Sequence, residues 1–377
     1  MDLTASTGLS IFATMSQMCR EYQAINLSQG CPDFDTDPLL IDLAYQYMKQ
    51  GFNQYSPMEG ILSLREEISR KVFKSYLISV DPLSEITITA GATEAVFVAL
   101  KSLVQPGDEV ILFEPAFDSY VPTVRMSGGV PVPIALNYPE YTINWEEVKD
   151  KITSKTKAIL LNTPHNPTGT VLTLEDIKAL EQIITTHPIT IISDEVYEHI
   201  IFDGNNHESI LSSEILRKNA LVIFSFGKTF HATGWRMGYC IAPRKLMLAF
   251  RKIHQYVTFS AVTSLQYAIA DYLQDEGKYL SLPLFFQNKR DYFLDLMKGS
   301  RFDFLPSKGT YFQLMSYREI SDEKDIEFSS RLVKELKVAS IPLSPFFSTY
   351  YNDRIIRFCF AKKEETLAAA AEQLWKI

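Results

Sequence analysis

The sequence has few cysteines, no concentration of glycine or proline, and no long apolar run. Its 377 residues include 16 glycines, 18 prolines and four cysteines, namely Cys19, Cys31, Cys240 and Cys359. No C-x-x-C pair occurs, so a zinc or redox motif has no support and free thiols in a reducing compartment are expected. No apolar run approaches the about 20 residues of a membrane span, and the N-terminus is a poor secretory signal. We therefore expect a cytoplasmic chain without a metal site or a membrane partner.

Charge and composition narrow the class of protein further. The chain has 37 basic and 45 acidic residues, a net charge of −8, which argues against nucleic acid as the main partner. Hydrophobic residues make up 46% and charged residues 22%, as in ordinary globular proteins. A chain of this length buries roughly 75% of its unfolded surface, so it has room for a buried site.

Amphipathic segments alternate with short apolar runs, which is the pattern of an α/β protein. Helices are predicted at about 36–50, 61–76, 173–186, 284–298 and 324–336, one from residue 92 onward, and a long helical stretch at 245–276. Strands are predicted at 86–90, 110–115, 157–162, 189–195, 221–227, 238–243, 310–315 and 355–361. Near-continuous apolar strands indicate a mainly parallel or mixed sheet that helices cover on both faces, with ligands at the carboxyl ends of the strands.

The C-terminal third has the pattern of a smaller α+β domain, and the N-terminal arm is expected to pack with it. We predict three parts on this basis. Residues 1–35 form an N-terminal arm and part of the small domain, 36–270 the large ligand-binding domain, and 271–377 the small C-terminal domain.

Lys228 lies in SFGKTF, directly after an apolar strand. A phosphate-loop motif would need glycine where Val222 stands, and the companions of an S-x-x-K motif are missing, so both readings fail. A lysine of lowered pKa can instead form a Schiff base with an aldehyde cofactor. Arg236 follows eight residues later and is able to grip a phosphate, and Ser225 adds a hydroxyl.

Three further polar residues follow strands. Asp194, at the end of ITIISDE, suits a protonated pyridine nitrogen or, alternatively, caps the next helix. Tyr197 comes three residues later. Asn166, in NTPHNPTG, belongs to a turn and is either a hydrogen-bond donor to a ring oxygen or part of a plain turn.

Three other features could contribute to the same site. The segment AGATEA (90–95) joins a strand to a helix, whose first N–H groups would bind a phosphate. Phe117 could stack on a flat ring or simply pack. Arg357 is a charge within the apolar run IIRFCFA, so it needs either a substrate carboxylate or a structural ion pair.

Together, these motifs resemble one family, the fold-type-I pyridoxal-phosphate aminotransferases of the aspartate aminotransferase superfamily. The similarity is greatest to the methionine and kynurenine aminotransferase branch. It extends in order over nearly the whole chain, through INLSQGCPDF, QYSPMEG, ITAGATEA, EPAFDSY, NTPHNPTG, SDEVYEH, SFGKTFHATGWRMGY and IRFCFAKKE. The resemblance implies the fold of these enzymes, with a mainly parallel mixed sheet in a large domain and a smaller α+β domain.

The resemblance also implies pyridoxal 5′-phosphate (PLP) as cofactor and assigns roles to individual residues. Lys228 would form the Schiff base and move the substrate proton, and Asp194 would keep the pyridine nitrogen protonated. Tyr197 and Asn166 would bind the ring hydroxyl. Phe117 would stack on the ring, and the phosphate would be held by Gly91, Ala92, Thr93, Ser225 and Arg236.

Substrate and subunit contacts are implied in the same way. Arg357 would bind the substrate α-carboxylate, helped by Asn166 and the backbone of Gly30. Tyr55 would reach the phosphate of the neighbouring subunit, so that a homodimer shares its two sites. The candidates for an apolar pocket wall, which could equally be core or dimer contacts, are Ile11, Phe12, Phe259 and Phe346.

The function expected is a ping-pong transfer of the amino group of methionine or an aromatic amino acid to a 2-oxo acid. Two alternatives stay open. A C–S β-lyase would use the same cofactor to expel a β-leaving group. A non-catalytic protein of the same fold would bind the cofactor without turnover.

Overall fold

The computed structural model describes residues 10–349, 351 and 353–377. Its helices are α1 (Ile11–Glu21), α2 (Pro38–Lys49), α3 (Leu62–Tyr76), α4 (Ala92–Leu103), α5 (Tyr120–Met126), α6 (Trp145–Lys151), α7 (Leu174–Thr186), α8 (Glu214–Arg217), α9 (Phe226–Thr229), α10 (Arg244–Val257), α11 (Thr263–Tyr272), α12 (Gly277–Leu280), α13 (Leu282–Met297), α14 (Asp325–Arg331) and α15 (Glu364–Leu374). Its strands are β1 (Ile25–Asn26), β2 (Ile86–Thr89), β3 (Glu109–Glu114), β4 (Val130–Ala135), β5 (Thr156–Asn162), β6 (Thr190–Asp194), β7 (Ala220–Ser225), β8 (Gly238–Ile241), β9 (Phe312–Ser316), β10 (Val338–Ala339), β11 (Ile341–Pro342) and β12 (Ile355–Cys359).

A seven-stranded sheet organises the larger part of the chain. Its strand order is β2-β8-β7-β6-β5-β3-β4, and every pairing is parallel except the two made by β8. The central strands are buried on both faces, which explains their apolar sequences. In the register, Asn162 of β5 pairs with Asp194 of β6, which pairs with Ile223 of β7. The carboxyl ends of these strands therefore meet at one edge, as predicted.

The C-terminal part contains an antiparallel sheet of order β11-β12-β9. The short strand β1 pairs in parallel with β10, with Ile25 opposite Val338, so this stretch of the N-terminal segment packs on the C-terminal part. The first nine residues lie outside the described part of the chain. The division of the chain at residues 35 and 270 stays a prediction. None of the described helices combines the length and apolar character that a membrane span requires.

Several boundaries differ from the sequence-based prediction. The strand predicted to run to residue 227 ends at Ser225, opposite Gly238, and α9 begins at Phe226. The helical stretch 245–276 is two helices, separated where Phe259 adopts a φ of 68°. The helix predicted at 324–336 ends as an α-helix at Arg331 and continues as a π-helical turn. The edge strand β4 was missed because prolines interrupt its pattern, and an edge is where prolines are tolerated.

Candidate active site

A cavity of about 390 Å³ opens at the carboxyl edge of the seven-stranded sheet. Residues from β5, β6 and β7 line one side, and residues from the N-terminal segment and β12 line the other. The predicted residues that line it are Gly30, Ala92, Thr93, Phe117, Asn166, Asp194, Tyr197, Ser225, Lys228, Arg236 and Arg357. Side chains from distant parts of the sequence, such as Phe12 and Arg357, therefore meet in one cavity.

Lys228 projects into this cavity from α9, the short helix that follows β7. Its Nζ lies 5.7 Å from the ring centroids of both Tyr197 and Tyr311. Burial, reinforced by the positive charge of Arg236, lowers the pKa of Lys228 to about 8. About a tenth of this amine is then neutral at pH 7, which makes it available as a nucleophile.

Asp194 ends β6 and is buried beneath the cavity. Its Oδ2 accepts a hydrogen bond of 2.7 Å from the hydroxyl of Tyr120, and its Oδ1 accepts one of 3.3 Å from the N–H of Val196. Burial raises the pKa of Asp194 to about 6, although the Tyr120 hydrogen bond opposes the rise. The segment after Asp194 forms turns, so the alternative that this residue caps a helix is wrong. A cation beside this carboxylate would stabilise its ionised form.

Arg357 reaches the cavity from β12 with its guanidinium fully buried. Its Nη1 donates to Asn166 Oδ1 at 2.7 Å and its Nη2 donates to the Ser28 carbonyl at 2.9 Å. The Nε atom has no hydrogen-bond partner among the described residues. Burial lowers the pKa of Arg357 to about 10, which leaves it charged at neutral pH.

The surroundings of Arg357 decide between its two interpretations. Among the described residues, Arg357 forms no ion pair, so the structural ion pair weighed from the sequence is wrong. The guanidinium carbon lies 3.8 Å from the ring centroid of Phe312 and 5.3 Å from that of Phe12. A buried cation on an aromatic surface, without an anionic partner, is suited to bind a carboxylate.

The start of α4 forms an anion-binding cradle. Gly91 caps this helix with a φ of 83°, and a Cβ there would lie 2.8 Å from Arg236 Nη2. Arg236 Nη2 in turn approaches Thr93 Oγ1 at 3.4 Å. The first-turn N–H groups of an α-helix, here including that of Ala92, have no partner within the helix and can bind an anion. Glycine at position 91 therefore lets a guanidinium and a helix N-terminus face one phosphate-sized group.

Phe117 and Gly30 complete the wall of the cavity. The Phe117 ring packs edge to face against Tyr120, with the centroids 5.6 Å apart. The Gly30 carbonyl accepts a hydrogen bond of 2.7 Å from the Tyr311 hydroxyl. A Cβ on Gly30 would lie 2.7 Å from the Phe312 ring, so glycine allows the backbone to approach here.

Tyr55 is the predicted site residue that the structure keeps apart from the cavity. It is 84% exposed, and its ring packs edge to face against Phe259 at 5.4 Å. Among the apolar candidates, Phe12 lines the cavity. The ring of Phe346 packs against that of Phe12, with the centroids 5.7 Å apart. Ile11 does not line it, and Phe259 lies beside Tyr55 instead.

The structure adds residues that the sequence analysis missed. Asn162 donates its side-chain N–H to the Asp194 carbonyl at 2.9 Å and accepts the Asn166 N–H at 2.8 Å. Tyr120 binds Asp194, and the Asp118 carboxylate lines the cavity, where burial raises its pKa. Each follows a strand within a motif already singled out, EPAFDSY or NTPHNPTG. The sequence motifs therefore located the right segments but did not identify these side chains.

The polar groups that line the cavity match the chemical groups of PLP. Arg357 Nε is buried without a partner, and Gly91 leaves open the space that a Cβ would fill beside Arg236. Lys228 supplies an amine, Asp194 a carboxylate for a ring nitrogen, and the α4 cradle donors for a phosphate. This combination of groups matches an aldehyde, a pyridine ring and a phosphate on one molecule.

Comparison with known proteins agrees with this chemistry. The family described as aminotransferase class I and II matches residues 22–374. Methionine aminotransferase of Escherichia coli K12 is 47% identical over 368 residues, covering 97% of this chain and 95% of that protein. Kynurenine–oxoglutarate transaminase of Dictyostelium discoideum is 33% identical over 414 residues, covering 99% and 95%.

Solved structures show the same relationship in three dimensions. The crystal structure of YbdL from Escherichia coli, identified with a methionine aminotransferase function, superposes with a TM-score of 0.97 at 46% identity. The superposition covers 99% of this chain and 98% of that chain. The chain therefore belongs to the aminotransferase class I and II family and is a PLP-dependent aminotransferase of fold type I.

Proposed function

We propose that this aminotransferase takes the amino group from methionine or an aromatic amino acid and delivers it to a 2-oxo acid. The proposal rests on one observation above all: Lys228 and the unpaired Arg357 share a cavity whose wall is formed by Phe12 and Phe117. The 47% identity to a methionine aminotransferase supports the same substrate class.

We propose the following roles for the residues that hold the cofactor. The α4 cradle of Gly91, Ala92 and Thr93, together with Ser225 and Arg236, binds the phosphate, while Phe117 covers one face of the ring. Asn166 and Tyr197 donate to the ring hydroxyl. Bound PLP supplies an electron sink that weakens the bonds at the substrate α-carbon.

The chain's own groups then do the proton chemistry. Asp194, ionised beside a protonated pyridine nitrogen, keeps that nitrogen positive. Lys228 would hold the cofactor through Nζ, and once a substrate amine had taken its place, the neutral Nζ would accept the proton of the substrate α-carbon and donate it again. Its lowered pKa suits this task because a general base works best when its pKa lies near the working pH.

Arg357 orients the substrate. Its two Nη groups and its free Nε can donate to the α-carboxylate, and Asn166 holds the guanidinium plane from one side. The apolar side chain of the substrate then lies against Phe12. Because a ping-pong reaction uses one site twice, the acceptor 2-oxo acid binds to the same arginine.

A single half-reaction tests this proposal. Methionine is added without acceptor to the purified, PLP-loaded protein, and the near-visible absorbance of the bound cofactor is followed. We expect that absorbance to bleach while one equivalent of the 2-oxo acid forms per site. The Lys228→Ala variant is the control and should form none on this timescale.

Two outcomes would contradict the proposal. Continued release of pyruvate and ammonia from cystathionine, which carries sulfur on a β-carbon, without a 2-oxo acid acceptor would identify a C–S β-lyase. A much faster reaction with aspartate than with methionine or phenylalanine would show that the substrate class is wrong.

We also propose a homodimer in which Tyr55 of the partner subunit contacts the phosphate in each site. The exposure of Tyr55 and Phe259 in the single chain supports this arrangement, because large exposed apolar patches mark interaction surfaces. Light scattering should give twice the chain mass. Mixing inactive Tyr55→Ala and Lys228→Ala chains should restore one complete site per mixed dimer, and no gain in PLP affinity or activity would refute shared sites.

A cytoplasmic location is proposed on the state of the cysteines. All four cysteines are free, and three of them are buried. Free thiols persist in reducing compartments. Fractionation of cells that express the tagged chain tests this location.

A further inference from the structure

Tyr120 lies beneath the site and touches two of the groups assigned to the cofactor ring. Its hydroxyl donates to Asp194 Oδ2 at 2.7 Å, and its ring packs edge to face on Phe117. It is the first residue of α5, directly after the loop that leaves β3, and is 4% exposed. Tyr120 thus connects Phe117, assigned to the face of the cofactor ring, with Asp194, assigned to the ring nitrogen.

We propose that Tyr120 is a positioning residue: its hydroxyl holds the Asp194 carboxylate ionised and aimed at the cofactor nitrogen. The inference rests on the proposed PLP site and adds a residue to it. Asp194 has two oxygens, and Tyr120 takes one lone pair of Oδ2 while the Val196 N–H takes one of Oδ1. These two bonds, made from opposite ends of the carboxylate, fix its plane and leave a lone pair free for a ring N–H.

Asp194 is a buried acid, 6% exposed. Burial favours the protonated form of Asp194, and a protonated carboxyl cannot stabilise a pyridinium by its charge. A hydrogen bond from a neutral hydroxyl to an ionised carboxylate is among the stronger ones in proteins. The Tyr120 bond accordingly works against burial and lowers the pKa of Asp194.

The other charged and titratable groups around Asp194 act differently. Lys228 favours the ionised carboxylate by its charge, whereas Glu195 opposes it. The Glu195 carboxylate, however, is occupied by Ser193 and His207 and contributes least of the causes. Tyr197 approaches from the same segment as Asp194 and has its own pKa raised. Tyr120 is therefore the side-chain hydrogen bond on which the carboxylate depends within the described structure.

The test measures PLP binding to the apoprotein rather than turnover. Tyr120→Phe keeps the ring against Phe117 and removes only the hydroxyl. We expect PLP affinity to fall about tenfold at pH 7, the effect of losing one bond to a charged group. The acid-side loss of affinity should also begin at a higher pH than in the wild type, because Asp194 becomes harder to ionise.

Tyr272→Phe is the matched control. Tyr272 is also buried and donates to a carboxylate, Asp37 Oδ2, at 2.8 Å, but it does not line the cavity. This variant should show unchanged PLP affinity and an unchanged pH profile. Unfolding temperatures of both apoproteins show whether either one is folded differently.

A double variant separates the proposed role from simple packing. In the Asp194→Asn background, adding Tyr120→Phe should cost nothing further, because there is no carboxylate left to hold. An equal loss in both backgrounds, or wild-type affinity and pH profile in Tyr120→Phe, would overturn the inference. Failure of the wild-type apoprotein itself to bind PLP would instead overturn the proposed cofactor site, so the two failures are distinguishable.

Discussion

Arg357→Gln replaces the buried guanidinium with a neutral amide and tests how the substrate is recognised. In the structure, the guanidinium is held by Asn166 and Ser28 and rests on Phe312, and among the described residues no carboxylate lies within ion-pair distance of it. An incoming carboxylate gains about two charge-assisted hydrogen bonds, each worth roughly 1.5–3 kcal/mol. Losing these bonds costs on the order of 3 kcal/mol, which corresponds to about a 100-fold weaker reaction with amino acids.

The assay compares two donors that differ only in the carboxylate. Single-turnover rates are measured with methionine and with 3-(methylthio)propylamine, which lacks the carboxylate. Arg357→Gln should slow the methionine reaction about 100-fold and leave the slow amine reaction unchanged. PLP affinity should not change, because Arg357 does not contact the cofactor in the proposed arrangement.

A second buried arginine, Arg290, provides a control variant for structural damage. Arg290 is 3% exposed and donates to Asp203 and to the Ser307 carbonyl, away from the cavity. Arg290→Gln should lower the unfolding temperature without changing the ratio of methionine to amine rates. An equal loss for methionine and the amine in Arg357→Gln would refute the assigned role.

Three other predictions follow from the same geometry. PLP capture by the apoprotein, followed by stopped-flow absorbance, should accelerate as the pH rises through about 8, because the neutral form of Lys228 is the nucleophile; a flat profile from pH 6 to 10 would contradict this. Gly91→Ala should weaken PLP binding, measured by titration, because its Cβ would collide with Arg236 and its φ of 83° would strain alanine, whereas Gly107→Ala, with a similar φ but open space, should not. Lys71→Met should lower the free energy of unfolding in urea by about 3–5 kcal/mol, since Glu198 loses its buried partner at 2.6 Å; adding Glu198→Gln should recover part of the loss.

Much of the site could be predicted from the sequence because its chemistry follows strands. Lys228, Asp194 and Asn166 each come directly after an apolar run, and parallel strands bring their ends to one edge. Arg357 was found for the opposite reason, since a charge inside an apolar strand is costly unless it is used. In both cases a local pattern was enough to locate the residue.

Other features depend on contacts that no local pattern contains. The hydroxyl of Tyr120 meets Asp194 across 74 positions, and nothing near Tyr120 distinguishes it from a core tyrosine. The break between α10 and α11 contains Phe259 with a φ of 68°, and no glycine or proline in the sequence marks this position. The role of Tyr55 involves a second chain, so neither the sequence pattern nor the single chain tests it.

The electrostatics of the cavity explain why cofactor, substrate and fold depend on each other. Burial lowers the pKa values of Lys228 and Arg357, and within the described residues neither has an anion paired with it. Burying a cation without a paired anion destabilises a fold, so a carboxylate that binds to Arg357 should stabilise the protein. An amino acid carries such a carboxylate, whereas the aldehyde of PLP reacts with the buried amine of Lys228. A mutation that placed a new carboxylate against Arg357 would therefore stabilise the protein without substrate and weaken the binding of the substrate carboxylate.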